Sequence, residues 1–370
     1  MSIYRKALVV IALSLAASVL ACDIRILPQG GTSMPESTLP HATPRSTLAP
    51  PTFTLPVERP TQTTTVSPPP TIPPSPHAPG PIILSHSDYD VVHTVTVTNA
   101  GPGTASRITL WVALIRTLEP YQKLLSSGSE PSEFEPVDDE YGNRYAQFEF
   151  RDVGSGEQVV ARLTYQVRVN ELAYDLSRCQ GETPDVFLEP DTYVECDSEE
   201  VQALADELAQ DQTNPCQTLE ALYDYVREHI TYTRYEAGDR GAVWALEHGT
   251  GDCTEFADAL LALSRAAGIP ARFLEGVTYR EGSSSDLSQI KHDWLEAYLP
   301  DHGWVPLDPT WGRFRNKRDA YFARMSADHI VVTVGRNLST LDGYHYFYYT
   351  WSGAEVSVSH HSWWDVSRAD

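Results

Sequence analysis

Between residues 81 and 172 apolar and polar side chains alternate with a period of two. Val91, His93, Val95 and Val97 interleave with threonines up to the turn Asn99-Ala100-Gly101, and Ile108, Leu110, Val112 and Leu114 repeat the pattern. The clearest run sets Val159, Ala161, Leu163, Tyr165, Val167 and Val169 on one face against Arg162, Thr164, Gln166 and Arg168 on the other. Successive strand side chains point to opposite faces, so each run has one apolar and one wet side. Several such strands separated by turns predict a small antiparallel β-sandwich over residues 81–172. The acidic insert Glu130 to Glu140 reads as a solvated loop.

Residues 173–198 form an irregular connector, after which the period lengthens to that of a helix. Val201, Leu204 and Leu208 mark one helix. Asn214-Pro215 caps and starts a second, with Leu219, Leu222, Tyr223 and Val226 on its apolar face. A short strand, Ile230 to Tyr232, follows. The best punctuated helix has Asp252 as N-cap, Glu255 as capping-box partner, Gly268 at its stop and Pro270 beyond; Phe256, Leu260, Leu263 and Ala267 predict one buried face. Strand-like segments 271–279, 291–299 and 303–307 come next, with a loop at Gly282 to Asp286. In the tail, His329 to Val334 and Tyr344 to Trp351 are expected to extend the same sheet. A helix packed on an antiparallel sheet makes residues 199–370 an α+β domain.

Composition changes the picture at the N-terminus. Residues 31–80 hold 14 of the 27 prolines, with Thr and Ser but few large apolar residues. Such a stretch cannot bury a core, so 23–80 reads as a disordered Pro/Thr/Ser-rich tether. Residues 1–22 read as an export signal: Arg5 and Lys6, then an apolar run ending Val19-Leu20-Ala21-Cys22. This resembles a bacterial lipoprotein signal, which implies lipidation of Cys22, a membrane anchor and an extracytoplasmic location. The net charge of -23 would repel a phosphate backbone, so nucleic acid is not an expected partner. Of five cysteines, Cys179, Cys196 and Cys216 remain after Cys22 and Cys253 are set aside, and at most one disulfide can form among them. Cys179 with Cys196 is the first choice, since both sit in the irregular connector; Cys196 with Cys216 is the next.

The chemistry centres on Cys253, which opens the punctuated helix beside Gly249, Gly251 and Asp252. A helix N-terminus and an adjacent imidazolium lower a thiol pKa, and a thiolate is the nucleophile. An inert buried thiol is the ordinary alternative for a cysteine. His292 leads a strand that sets it on one face with Trp294 and Glu296, while Leu295, Ala297 and Leu299 take the other. The rival bases are His248 and His302. Asp308 ends the next strand, where a hairpin would bring it to His292 as the carboxylate that orients the imidazole. An Asp before Pro is otherwise a common turn former. Trp244 is a candidate oxyanion donor through its indole N–H, though core packing is its more ordinary role. No paired Cys-x-x-Cys or His-x-x-x-His spacing points to a metal, and no cofactor is expected.

The segments Gly251-Asp252-Cys253, Ala267-Gly268-Ile269-Pro270-Ala271-Arg272, His292-Asp293-Trp294 and Gly303 to Thr310, in that order, resemble the transglutaminase-like superfamily of papain-fold cysteine enzymes. The resemblance covers about Val201 to Phe314. It implies Cys253 as nucleophile, His292 as general base and acid, Asp308 as its orienter, and peptide or protein amides as substrates. It does not imply one reaction. A thioester meets water far more often than a dilute amine, and favouring the amine would take about 6 kcal/mol of discrimination. Nothing in the sequence supplies that, so hydrolysis is expected over transfer. A non-catalytic envelope interaction module built on the same scaffold is the competing class.

Overall fold

The computed structural model describes residues 80–235, 238–281 and 290–369. The expected signal with Cys22, the tether up to residue 79 and the Gly282 to Asp286 loop lie outside the described residues.

The period-two region folds as six strands: β1 (Ile82–Asn99), β2 (Ala105–Ala113), β3 (Gln122–Glu130), β4 (Glu135–Asp138), β5 (Arg144–Val153) and β6 (Gln158–Ala173). In β6 buried and exposed positions alternate strictly from Gln158 to Val167. Val159, Ala161, Leu163, Tyr165, Val167 and Val169 all enter the sandwich core with Val91, Val95, Ile108, Leu110 and Val112. The expected insert is partly regular, since β4 within it pairs with β5.

The helical part contains α1 (Glu199–Ala209), α2 (Pro215–His229), β7 (Thr231–Tyr232), α3 (Ala242–His248), β8 (Thr250–Gly251) and α4 (Cys253–Ala266). Ser198 and Asn214 cap α1 and α2 through their side chains. Asp252 and Glu255 form both halves of a capping box at α4. Gly251 permits that box, because a Cβ there would stand 2.5 Å or closer to Glu255 Cβ, at 2.4 Å. One expectation is corrected: α4 buries every residue from Cys253 to Arg265, not a single face. The helix runs through the middle of the domain, with α1, α2 and α3 on some sides and the sheet on another, so its polar residues need internal partners.

The sheet comprises β9 (Ala271–Thr278), β10 (Lys291–Leu299) and β11 (Gly303–Leu307). A single helical turn, α5 (Pro309–Gly312), then leads to β12 (Arg324–Met325) and β13 (His329–Val334). Strand order is β11-β10-β9-β13, all antiparallel. Leu295, Ala297 and Leu299 face α4 and join Phe256, Leu260 and Leu263 in the helical core, while Trp294 packs on the other face with Leu274, Val331 and Val334.

The tail divides. β13 extends this sheet as expected, but β14 (Phe347–Ser352) pairs with β2, and β15 (Val358–Arg368) pairs with β1 over its length. The C-terminal strands therefore complete the sandwich. Its core takes in Val277, Ile330 and Val332 from the β9-β13 side of the other sheet and Ile290 just before β10. The disulfide expectation is also corrected: Cys179 bonds to Cys216, tying the connector to the first turn of α2, and Cys196 is a buried free thiol whose Sγ donates to Leu188 O. Connector residues distant from Cys216 in sequence fold back beside α2, which spacing could not reveal.

Candidate active site

Cys253 stands at the first position of α4, 8% exposed, at the edge of a cavity of about 430 Å³. Thr254 Oγ1 donates to Asp293 Oδ2 at 2.6 Å, so the start of α4 is bonded to β10 at the residue next to His292. β10 and β11 form the expected hairpin, with Leu295 opposite Leu307. Asp308 leaves it as the N-cap of α5, its Oδ1 accepting from Trp311 N at 2.9 Å. Its Oδ2 accepts from His292 Nε2 at 2.8 Å. Asp308 is fully buried and His292 nearly so. Tyr223 Oη donates to Asp308 O at 3.1 Å, and Gly312 leaves room for that phenol, since a Cβ there would fall 1.7 Å from its oxygen.

The imidazole of His292 is held among rings, with Trp311 at 5.2 Å, Trp294 at 5.7 Å and His329 at 5.5 Å between centroids. Among the described residues its rivals make no hydrogen bond or ion pair to a carboxylate: His248 bonds to Trp244 O and His302 to Arg178 O. The structure therefore brings His292 and Asp308 together. Among the described residues no hydrogen bond joins Cys253 Sγ to His292, a separation that resting sites of this kind can show before substrate binds. Trp244 lies on α3 with Arg240 over its ring at 4.3 Å and His248 stacked on it at 4.5 Å, packed against the helical core. It does not line the cavity onto which Cys253 opens.

His329 gave no sign of itself in the sequence beyond a strand pattern. It shares Asp308 with His292, through Nε2 at 3.3 Å, while its Nδ1 bonds to Asp328 Oδ1 at 2.8 Å. Burial alone would lower its pKa, but Asp328 and Asp308 outweigh burial and hold it at about 9. For His292 burial wins over Asp308 and keeps its pKa below the usual range. Asp308 goes the other way: burial would raise it, but the two histidines hold it well below the usual carboxylate range.

The expected lowering of the thiol pKa is not what the structure supports. Burial, with Asp293 and Asp252 adding, pushes Cys253 well above the ordinary thiol range. Burial together with these carboxylates outweighs what one helix terminus supplies. At neutral pH Cys253 is thus a thiol and His292 a neutral imidazole.

Two donor groups are compact enough to hold a cation, His292-Asp308-His329 and Glu275-Asp293-His345, with ligand atoms within 4.8 Å of one another in each. In the first, both imidazoles already donate to Asp308 and His329 carries a proton at neutral pH, which opposes a metal.

Residues 202–309 match the sequence profile of the transglutaminase-like superfamily. The chain is 28% identical over 221 residues to the uncharacterized protein YebA of Bacillus subtilis, covering 53% of this chain and 28% of YebA. It is 32% identical over 120 residues to a protein-glutamine gamma-glutamyltransferase of Pseudomonas aeruginosa, covering 30% of this chain and 18% of that protein. It therefore spans less than a third of the length of either relative. A solved structure from Cytophaga hutchinsonii, described as a candidate cysteine protease, shares the fold with a TM-score of 0.58 and 17% identity, over 78% of this chain and 93% of that one. Residues 202–309, built as a helix on an antiparallel sheet, thus form a domain of the transglutaminase-like superfamily.

Proposed function

We propose that the protein is an acyl-transfer thiol enzyme that cleaves amide bonds of peptides or proteins, with Cys253 as nucleophile, His292 as base and acid, and Asp308 as the orienting carboxylate. The buried His292–Asp308 hydrogen bond, one residue from the strand position that anchors the start of α4, is the observation that carries this reading. Asp308 holds Nε2, which leaves Nδ1 to take the thiol proton as sulfur attacks the carbonyl. The imidazolium then gives that proton to the departing amine, and a thioester remains. Water or an amine attacks it, and the thiol is restored. The Cys253 backbone N–H, at a helix start, is the candidate oxyanion donor; the Trp244 indole, which lies away from the cavity, does not serve that role in this reading. Hydrolysis is the favoured outcome, because water outnumbers any amine and the pocket is open to it.

The expected setting is outside the cytoplasm, on a lipid anchor at Cys22 with residues 23–80 as tether. Among the described residues no helix is long and apolar enough to cross a membrane.

Wild type and Cys253→Ala are incubated with a library of peptides and amines and followed by mass spectrometry. Backbone cleavage, loss of ammonia and amine addition have separate mass signatures, and each should vanish in the variant. If wild type produces none, and a thiol alkylator leaves native Cys253 unlabelled even at alkaline pH, the chain is a non-catalytic envelope module.

A further inference from the structure

The cavity onto which Cys253 opens is lined by several charged side chains, and two of them, Asp239 and His345, are satisfied within the protein. Asp239 is paired with Arg336 at 2.8 Å and with His345, which also bonds to Glu275. Asp342 lies on the exposed rim. Two groups differ. Asp293 is 6% exposed; its Oδ2 accepts from Thr254, but Oδ1 is buried with no hydrogen-bond partner. Lys291 lies two residues earlier on β10 and so on the same face; its Nζ sits 4.7 Å from the Tyr346 ring centroid and feels Glu275 and Asp293 only across space, since among the described residues no carboxylate comes within salt-bridge distance of it. A buried acceptor without a donor and a half-buried cation with no carboxylate in direct contact each cost free energy. They stand side by side, opposite in charge, and do not pair.

We infer that this cavity binds a zwitterionic α-amino acid head, with its ammonium on Asp293 Oδ1 and its carboxylate on Lys291 Nζ. The ammonium and carboxylate of one amino acid are separated by a single carbon, so they can bridge two side chains too far apart to pair directly. A cavity of about 430 Å³ admits a group of that size. The acyl carbon presented to the thiol then belongs to the side chain of a free amino acid. That last step rests on the proposed role of Cys253; recognition of the head does not. Burial holds the Asp293 carboxyl at about 7, so an arriving ammonium would also complete its ionisation.

The test is isothermal titration of the full chain carrying Cys253→Ala, which cannot turn over, with L-glutamine, Nα-acetyl-L-glutamine and L-glutamine α-amide. The free amino acid should bind at least about tenfold more tightly than either blocked form, the effect of one unmet buried charge or donor. Adding Asp293→Asn should remove the difference between free and acetylated ligand, and adding Lys291→Met the difference between free and amidated ligand. Equal binding of the three ligands, absence of binding by all of them, or preferences that survive both substitutions would overturn the inference. Those results leave the mass-spectrometric test of Cys253 untouched, so the two proposals fail separately.

Discussion

His329 offers a prediction whose size can be worked from the structure. Its folded pKa is about 9, against an ordinary histidine value near 6.5, because Asp328 and Asp308 stabilise the imidazolium more than burial opposes it. A group whose folded pKa is raised contributes its full stability below the unfolded value and loses it as pH climbs through the folded one. The contribution is therefore complete below about pH 6.5 and gone above about pH 9. At 1.36 kcal/mol per pKa unit it amounts to about 3 kcal/mol. Urea unfolding at intervals from pH 6 to pH 10 measures it, and tryptophan fluorescence is a suitable signal because Trp311 and Trp294 lie 4.7 and 5.0 Å from the His329 ring. His329→Gln should be less stable than wild type by about this amount at pH 6 and should converge with it by pH 10. Taking the difference between the two proteins removes other titrations, including those of Asp258 and Asp293, which lie near 7. Parallel curves across the whole range would refute the charged assignment of His329.

Other outcomes follow from single contacts. Asp308→Asn should lower kcat by roughly 10² to 10⁴-fold through loss of the imidazole's orientation and charge partner, with a smaller change in KM. The alkylation rate of Cys253 should keep rising with pH beyond the range of an ordinary thiol, since burial and Asp293 raise its pKa; a plateau below pH 7 would contradict that. Arg336→Ala strands Asp258, which is fully buried and bonded to the guanidinium at 2.9 Å, and should cost about 3 to 5 kcal/mol by chemical denaturation. Cys216→Ser opens a link spanning 37 residues and should destabilise the fold by about 4 kcal/mol, with no effect if Cys179 and Cys216 are unpaired in solution.

Much of the local structure was legible along the chain because it depends on neighbours in sequence. The capping box at α4 needs only Asp252 and Glu255 at the right spacing, and β6 needs only alternation, so both appear where the residues predict them. The His292–Asp308 contact was legible for a similar reason, since a short hairpin joins their strands. Partners that meet across long separations were not. Nothing near Cys179 names Cys216 rather than Cys196, and nothing in the aromatic tail says whether it continues one sheet or closes another. Strand pairing is chosen by which open edge offers backbone partners and which apolar face remains uncovered, and both exist only after the rest has packed. The same holds for charge. Position at a helix start argues for a lowered thiol pKa, yet burial raises it, helped by the neighbouring Asp252 and by Asp293 and Asp308 from two other stretches of chain, and His329 reaches Asp308 from a strand whose residues are ordinary when read alone. Sequence order determined which groups are present and which helix and hairpin hold them; desolvation and long-range neighbours, set by the tertiary fold, decided their protonation.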